Sequence, residues 1–215
     1  MSEMIQFIIL ALCRFGGADS SVNDLGGAIE TFASEGATIE IEQIDDGLRP
    51  EWLQETGQTP QCVALAYDVP EGGSAGLRLR LVSDRGHFIN AVDYSHAVFL
   101  TRASASTEVF EVRVADASRE AAGTPVSLGS VVEHAGGEMP VEWAQIRMPL
   151  LEHAEDLDLS HLATVEFVFT GPASGRVHLD EILLVGMPAA ALDPLMGVDL
   201  PDALPPAPDA SQPVN

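Results

Sequence analysis

In several short segments of this chain, apolar residues recur at every second position, a period that fits strands and not helices. Leu77, Leu79 and Leu81 alternate with Arg78 and Arg80, and Phe110, Val112 and Val114 alternate with Glu111 and Arg113. Val165, Phe167 and Phe169 stand opposite Glu166 and Thr170. Residues 38–44 set Ile39 and Ile41 against Glu40 and Glu42, with Ile44 on the glutamate side, so a bulge or strand end is expected at Ile44. Turn signals bound these segments, among them Gly26-Gly27, Asp46-Gly47, Gly136-Gly137 and Gly171-Pro172. One polar and one apolar face per strand describes half-buried antiparallel strands, since parallel strands read as continuous apolar runs. Two such sheets face to face bury every apolar face named, so an all-β antiparallel sandwich is expected. One helical turn is expected around residues 150–156, and nothing longer.

At 215 residues the chain has room for one such sandwich with tails. The domain is placed at residues 1–186. Residues 187–215, rich in Pro, Ala and Asp, hold too few bulky apolar side chains to offset the entropy of ordering and are expected to form a disordered tail. The apolar run Ile5 to Leu12 is too short for a membrane span, which needs about 18 residues, and lacks the basic flank of a signal peptide. It is read as the first strand. The net charge is −23, and every basic residue is an arginine. Such a chain repels nucleic acid and anionic membrane, both of which are bound by neutralising negative charge. Cys13 and Cys62 are too few for a disulfide framework. They read either as small buried thiols or as one bridge.

Catalysis has no motif to rest on. There is no G-x-S-x-G elbow, phosphate loop or H-E-x-x-H sequence, and the six histidines are scattered singly. The outward residues of the alternating strands form the main candidate site. Arg78, Arg80 and Arg113, with Glu111 and Glu166, line either a groove that binds hydroxylated or carboxylated ligands through bidentate hydrogen bonds or a ladder of cross-strand ion pairs. Trp52, in the polar segment 45–61, and Tyr94, in a turn before a strand, are the aromatic residues available as stacking platforms. Trp143, before a strand that turns Ile146 and Met148 inward, and Tyr67, on the face of Val63 and Leu65, are assigned to packing.

A set of segments then appears in a telling order: Asn23-Asp24-Leu25-Gly26-Gly27, residues 63–68, Asp93-Tyr94-Ser95, residues 143–150, Asp158-Leu159-Ser160, and residues 175–182. Together they resemble the galactose-binding-like jelly roll of non-catalytic carbohydrate-binding modules and the related complex I intermediate-associated domain. The resemblance covers roughly residues 14–186 and is most distinctive in GRVHLDEI at its end. It implies a module that binds a polysaccharide or oligosaccharide, or else a protein partner, and that acts outside the cytoplasm. It also implies a structural calcium held in part by the residue matching Asp180, and Asp19 or Asp24 is the candidate to substitute as a further ligand. Calcium suits such a place because it accepts carboxylate and carbonyl oxygens without strict geometry. The chain departs from the family where Arg14-Phe15-Gly16 stands in place of Asp-Phe-Glu. Asp180 and Glu181 alternatively serve a strand bend.

Overall fold

The computed structural model describes residues 8–13, 23, 25, 27–45, 61–82 and 86–186. Within them run β1 (Ile8–Cys13), β2 (Ile29–Ala33), β3 (Thr38–Asp45), β4 (Gln61–Val69), β5 (Ser74–Arg80), β6 (His96–Ala103) and β7 (Glu111–Asp116). There follow α1 (Ala117–Ala122), β8 (Val126–Ser130), α2 (Val131–His134), β9 (Ala144–Pro149), β10 (Leu162–Thr170) and β11 (Ala173–Gly186). Every strand pairing among them is antiparallel, in a six-stranded sheet ordered β3-β4-β11-β6-β9, with β1 also on β11, and a five-stranded sheet ordered β2-β5-β10-β7-β8. The architecture is the β-sandwich expected from the alternation, and the run read as the first strand supplies β1. Residues 187–215 lie outside the described residues.

The alternating apolar faces meet between the sheets. Leu77, Leu79, Leu81, Phe110, Val112, Val114, Val165, Phe167 and Phe169 are all buried. Phe99 stands edge-on to Phe167 with centroids 5.1 Å apart, and Tyr67 stacks on Phe169 at 3.9 Å. Burying each large apolar side chain contributes about 1.5–3 kcal/mol, so this aromatic cluster anchors the two sheets to one another.

β11 is 14 residues long and changes neighbour partway along. Ala173 to Leu179 pair with β4, and Ile182 to Gly186 pair with β1. Between them the register against β6 shifts, and Glu181 adopts φ 47°, an uncommon conformation for a residue with a Cβ. The extra residue of this bulge keeps Leu179, Ile182 and Leu184 all on the core side. The acidic pair therefore does sit at a bend in the last strand.

Three details sharpen these expectations. Of the bulge or strand end expected at Ile44, the strand end is what occurs: β3 keeps unbroken register with β4 through Ile44 and ends at Asp45, and Ile41 is 40% exposed because β3 is an edge strand. The expected turn near residue 150 is a 3-10 turn over Leu151–His153, but α1 and α2 were not anticipated. Asp116 caps α1, its Oδ1 accepting from Ser118 N at 2.8 Å and Arg119 N at 2.9 Å, and Gly123 closes it at φ 67°. Trp143 stays out of the inter-sheet core. It lies half-buried beside residues of the six-stranded sheet's outward side, with the Arg102 guanidinium 5.6 Å from its ring centroid and His178 beside it.

Candidate functional site

Strand register alone assembles a row of charges across the outer face of the five-stranded sheet. Glu30 on β2 is paired with Arg78 on β5, Arg78 with Glu166 on β10, Glu166 with Arg113 on β7, and Arg113 with Ser127 on β8. Side chains at paired positions share a face, so the row reads acid, base, acid, base, hydroxyl. The neighbouring row holds Arg80, Thr164 and Ala115. α1 continues directly from the end of β7, and beside it the sheet face carries a groove of about 510 Å³ lined by Arg78, Arg80, Arg113, Arg119, Glu120 and Glu166 among others.

The arginines are tied to acids throughout. Arg78 Nε donates to Glu166 Oε1 at 2.7 Å, and Arg80 bridges Glu30 at 3.3 Å and Glu120 at 2.7 Å. Arg113 donates twice to Glu111 Oε2, at 2.8 and 2.6 Å, while Ser127 Oγ donates to Glu111 Oε1. Arg119 reaches Asp156 at 3.7 Å. Four arginines thus face five carboxylates. Two of these carboxylates, Glu120 and Glu166, line the groove with the four arginines, so its surface is one of fixed, ion-paired donors and acceptors. The cross-strand ion pairs of Arg78 and Arg80 border the same groove.

Two features of the floor bear on ligands. Glu166 is only 6% exposed, held under Arg78. Thr164 is 1% exposed, and its Oγ1 has no hydrogen-bond partner although the residue lines the groove. The groove's aromatic residue is Phe32, half-buried, with the Arg78 guanidinium 5.3 Å from its ring centroid. Its ring crosses the space over Gly76, where a Cβ would lie 2.6 Å from Phe32 Cζ.

The structure therefore joins Arg78, Arg80, Glu111 and Arg113 on one face and leaves Tyr94 out. Tyr94 packs half-buried against the core just ahead of β6, in the other sheet. Trp52, Asp19 and Asp24 lie outside the described residues. Phe32, Thr164, Arg119 and Glu120 were not anticipated, since IETFA shows no alternation and six residues are too few for a helical period. The signals that existed were the acidic cap Asp116 and the glycine at Gly123.

Asp180 sits in the other sheet, paired with Leu100 and buried. Among the described residues no three His, Cys, Asp or Glu side chains gather to hold a metal ion. Cys62 is buried. No helix among the described residues is long and apolar enough to cross a membrane.

Other segments of the resemblance prove to be clamps. Asn23 Oδ1 accepts from Leu25 N at 3.0 Å and Gly27 N at 3.1 Å, while its Nδ2 donates to Arg80 O at 2.6 Å. Ser95 N donates to Val185 O at 2.9 Å, and Asp158 Oδ1 accepts from Ser160 N at 3.1 Å.

No protein-family model matches the sequence, and no curated protein matches it. Solved structures do. The family 11 carbohydrate-binding module from Clostridium thermocellum, in complex with a β-1,3-1,4-mixed-linked tetrasaccharide, superposes with TM-score 0.56 at 16% identity over 83% of this chain and 96% of that one. The family 30 module of a cellulosomal cellulase from the same organism gives 0.54 at 16% identity, over 84% of this chain and 98% of that one. A β-1,2-glucanase from Parabacteroides distasonis gives 0.53 at 13% identity, over 84% of this chain and 25% of the enzyme. At such identities the likeness is one of fold, and the fold is the jelly-roll β-sandwich of carbohydrate-binding modules.

Proposed function

We propose that this chain is a non-catalytic carbohydrate-binding module that acts outside the cytoplasm and seats its ligand in the groove above β5, β10 and β7. The observation that carries the reading is the row of interleaved guanidinium and carboxylate groups beside the unpartnered hydroxyl of Thr164. Sugar hydroxyls both donate and accept, so they suit a surface on which donors and acceptors alternate and net charge nearly cancels. Phe32 and the small side chains of Ala115, Ala117 and Ala121 supply apolar surface for the C–H face of a sugar ring. Mixed-linkage β-glucan is the first ligand to try, because the family 11 module of the same fold is known in complex with a fragment of that linkage.

Affinity electrophoresis of the full chain tests this. Mixed-linkage glucan, xylan, cellulose derivatives and β-1,2-glucan are each set in the gel, and at least one is expected to retard the protein. Arg78→Ala removes a charged donor and strands Glu166, so retardation should weaken at least tenfold. Thr164→Val keeps the shape of the floor and removes only the hydroxyl, so it should weaken binding while leaving the fold intact. Mobility unchanged in every polysaccharide would overturn the proposal and leave a protein partner as the reading for the same face.

A further inference from the structure

Where the β6–β7 connection meets the β10–β11 turn lies a second cleft of about 350 Å³, whose walls include Tyr67, Glu108, Val109, Thr170, Pro172 and Ser174. It shares no lining residue with the groove. Glu108 is 6% exposed, and its Oε1 accepts from Ser104 Oγ at 2.5 Å and from Arg176 N at 3.2 Å. Its Oε2 has no hydrogen-bond partner. Tyr67 is 5% exposed, fixed by its stack on Phe169, and its hydroxyl has no partner either. Burial, reinforced by the Glu108 charge, pushes the Tyr67 phenol upward in pKa, so it remains a proton donor.

The place of Glu108 is built into the strand beside it. A Cβ at Gly175 would come within 2.6 Å of Glu108 Oε1, so glycine is what lets the carboxylate lie against β11. This is the glycine that opens GRVHLDEI in the sequence. Two buried polar groups left unpaired destabilise a free protein, and a partner from outside recovers the loss. A divalent cation finds a single carboxylate here, with no cluster of acidic, His or Cys side chains among the described residues. A sugar with adjacent hydroxyls satisfies both groups. One hydroxyl donates to Glu108 Oε2, its neighbour accepts from the Tyr67 hydroxyl, and the ring's C–H face meets Val109 and Pro172.

We infer that this cleft is a second carbohydrate site, one that takes a single sugar unit or a chain end through an adjacent pair of hydroxyls. The inference rests on the carbohydrate-binding reading for its ligand class but not on the groove.

Tyr67 and Tyr94 are the only tyrosines in the chain, so ring-labelled tyrosine gives an NMR probe inside the cleft and a control outside it. Glucose, galactose, mannose and xylose are titrated into the full chain at millimolar concentration. With at least one sugar the Tyr67 resonances should move saturably and those of Tyr94 should not. Glu108→Gln should weaken the response about tenfold, the worth of one hydrogen bond to a charged acceptor. Tyr67→Phe, which keeps the stack on Phe169, should weaken binding similarly by calorimetry. Tyr67 resonances that ignore all four sugars, respond equally in Glu108→Gln, or respond only to calcium chloride would overturn the inference. Loss of polysaccharide retardation with the Tyr67 response intact sinks the groove and spares this site; loss of both sinks the carbohydrate reading itself.

Discussion

Asp116 fixes the wall of the groove, and its removal can be worked out from its contacts. The buried carboxylate accepts four hydrogen bonds: from Ser118 N at 2.8 Å, Ser118 Oγ at 2.7 Å, Arg119 N at 2.9 Å and Asp158 N at 2.9 Å. It thereby joins β7, the start of α1 and the turn that leads into β10. Burial by itself raises the pKa of this group, but the hydrogen bonds from Asp158, Arg119 and Ser118 outweigh burial and bring it down from 3.8 to about 2. A shift of that size corresponds to about 2 kcal/mol favouring the ionised, folded form. The folded-state pKa lies below the unfolded one, so this stability is fully present above about pH 4 and is lost as pH falls through about 2.

Asp116→Asn is the informative perturbation. The amide oxygen can still cap α1 through Ser118 N and Arg119 N, but the amide nitrogen then faces Asp158 N, donor against donor. At pH 7 the variant should lose about 2 kcal/mol, or roughly 4–8 °C in Tm for a domain of this size. Thermal unfolding of both proteins is followed by circular dichroism from pH 7 to pH 2, and the difference between them is the quantity of interest because it cancels the titration of the other carboxylates. The gap should close as pH drops through the carboxylate range. A gap at pH 7 under about 0.5 kcal/mol, the level of an ordinary surface substitution, or a gap indifferent to pH, would refute the reasoning.

Three further outcomes follow from particular contacts. Gly76→Ala places a Cβ 2.3 Å from Phe167 O and 2.6 Å from Phe32 Cζ; the fold should lose about 1–3 kcal/mol in chemical denaturation, and groove binding should fall as Phe32 is displaced. Burial, reinforced by the positive charge of Arg147, lowers the pKa of His96, so its NMR titration midpoint should lie below that of an unfolded histidine, near 6.5. The folded form resists that proton, and the stability His96 contributes is complete above that value and declines as pH falls through its own midpoint; His96→Gln should flatten this part of the stability profile. If calcium is held through Asp180 and Asp24, a chelator should lower Tm and added calcium restore it, whereas equal melting curves in chelator and in calcium would remove the ion from consideration.

The sequence already carried the sandwich, because period two is a property of neighbouring residues. Leu77, Leu79 and Leu81 must share a face whatever they meet, and so must Arg78 and Arg80 on the opposite side. Glu111 and Arg113 follow the same rule, which is why the candidate residues drawn from alternating strands came together. The segments that carried the family resemblance were equally legible, yet Asn23 and Ser95 turn out to close turns and tie strands. They name the scaffold more firmly than the ligand.

What local order could not supply was the partner across a gap in sequence. Glu166 lies 88 residues from Arg78 and Glu108 lies 68 from Arg176, distances over which no pattern in one strand predicts the register of another. The same holds for Phe32 over Gly76 and for Tyr94, whose exposure was decided by the core it packs against. The sequence by itself determined that two antiparallel sheets would pack face to face and which side chains of each alternating strand share a face. Only the tertiary structure decided that Arg78, Glu166 and Arg113 form one row and that the Tyr67 hydroxyl and Glu108 share one cleft, because strand pairing between distant segments sets those neighbours.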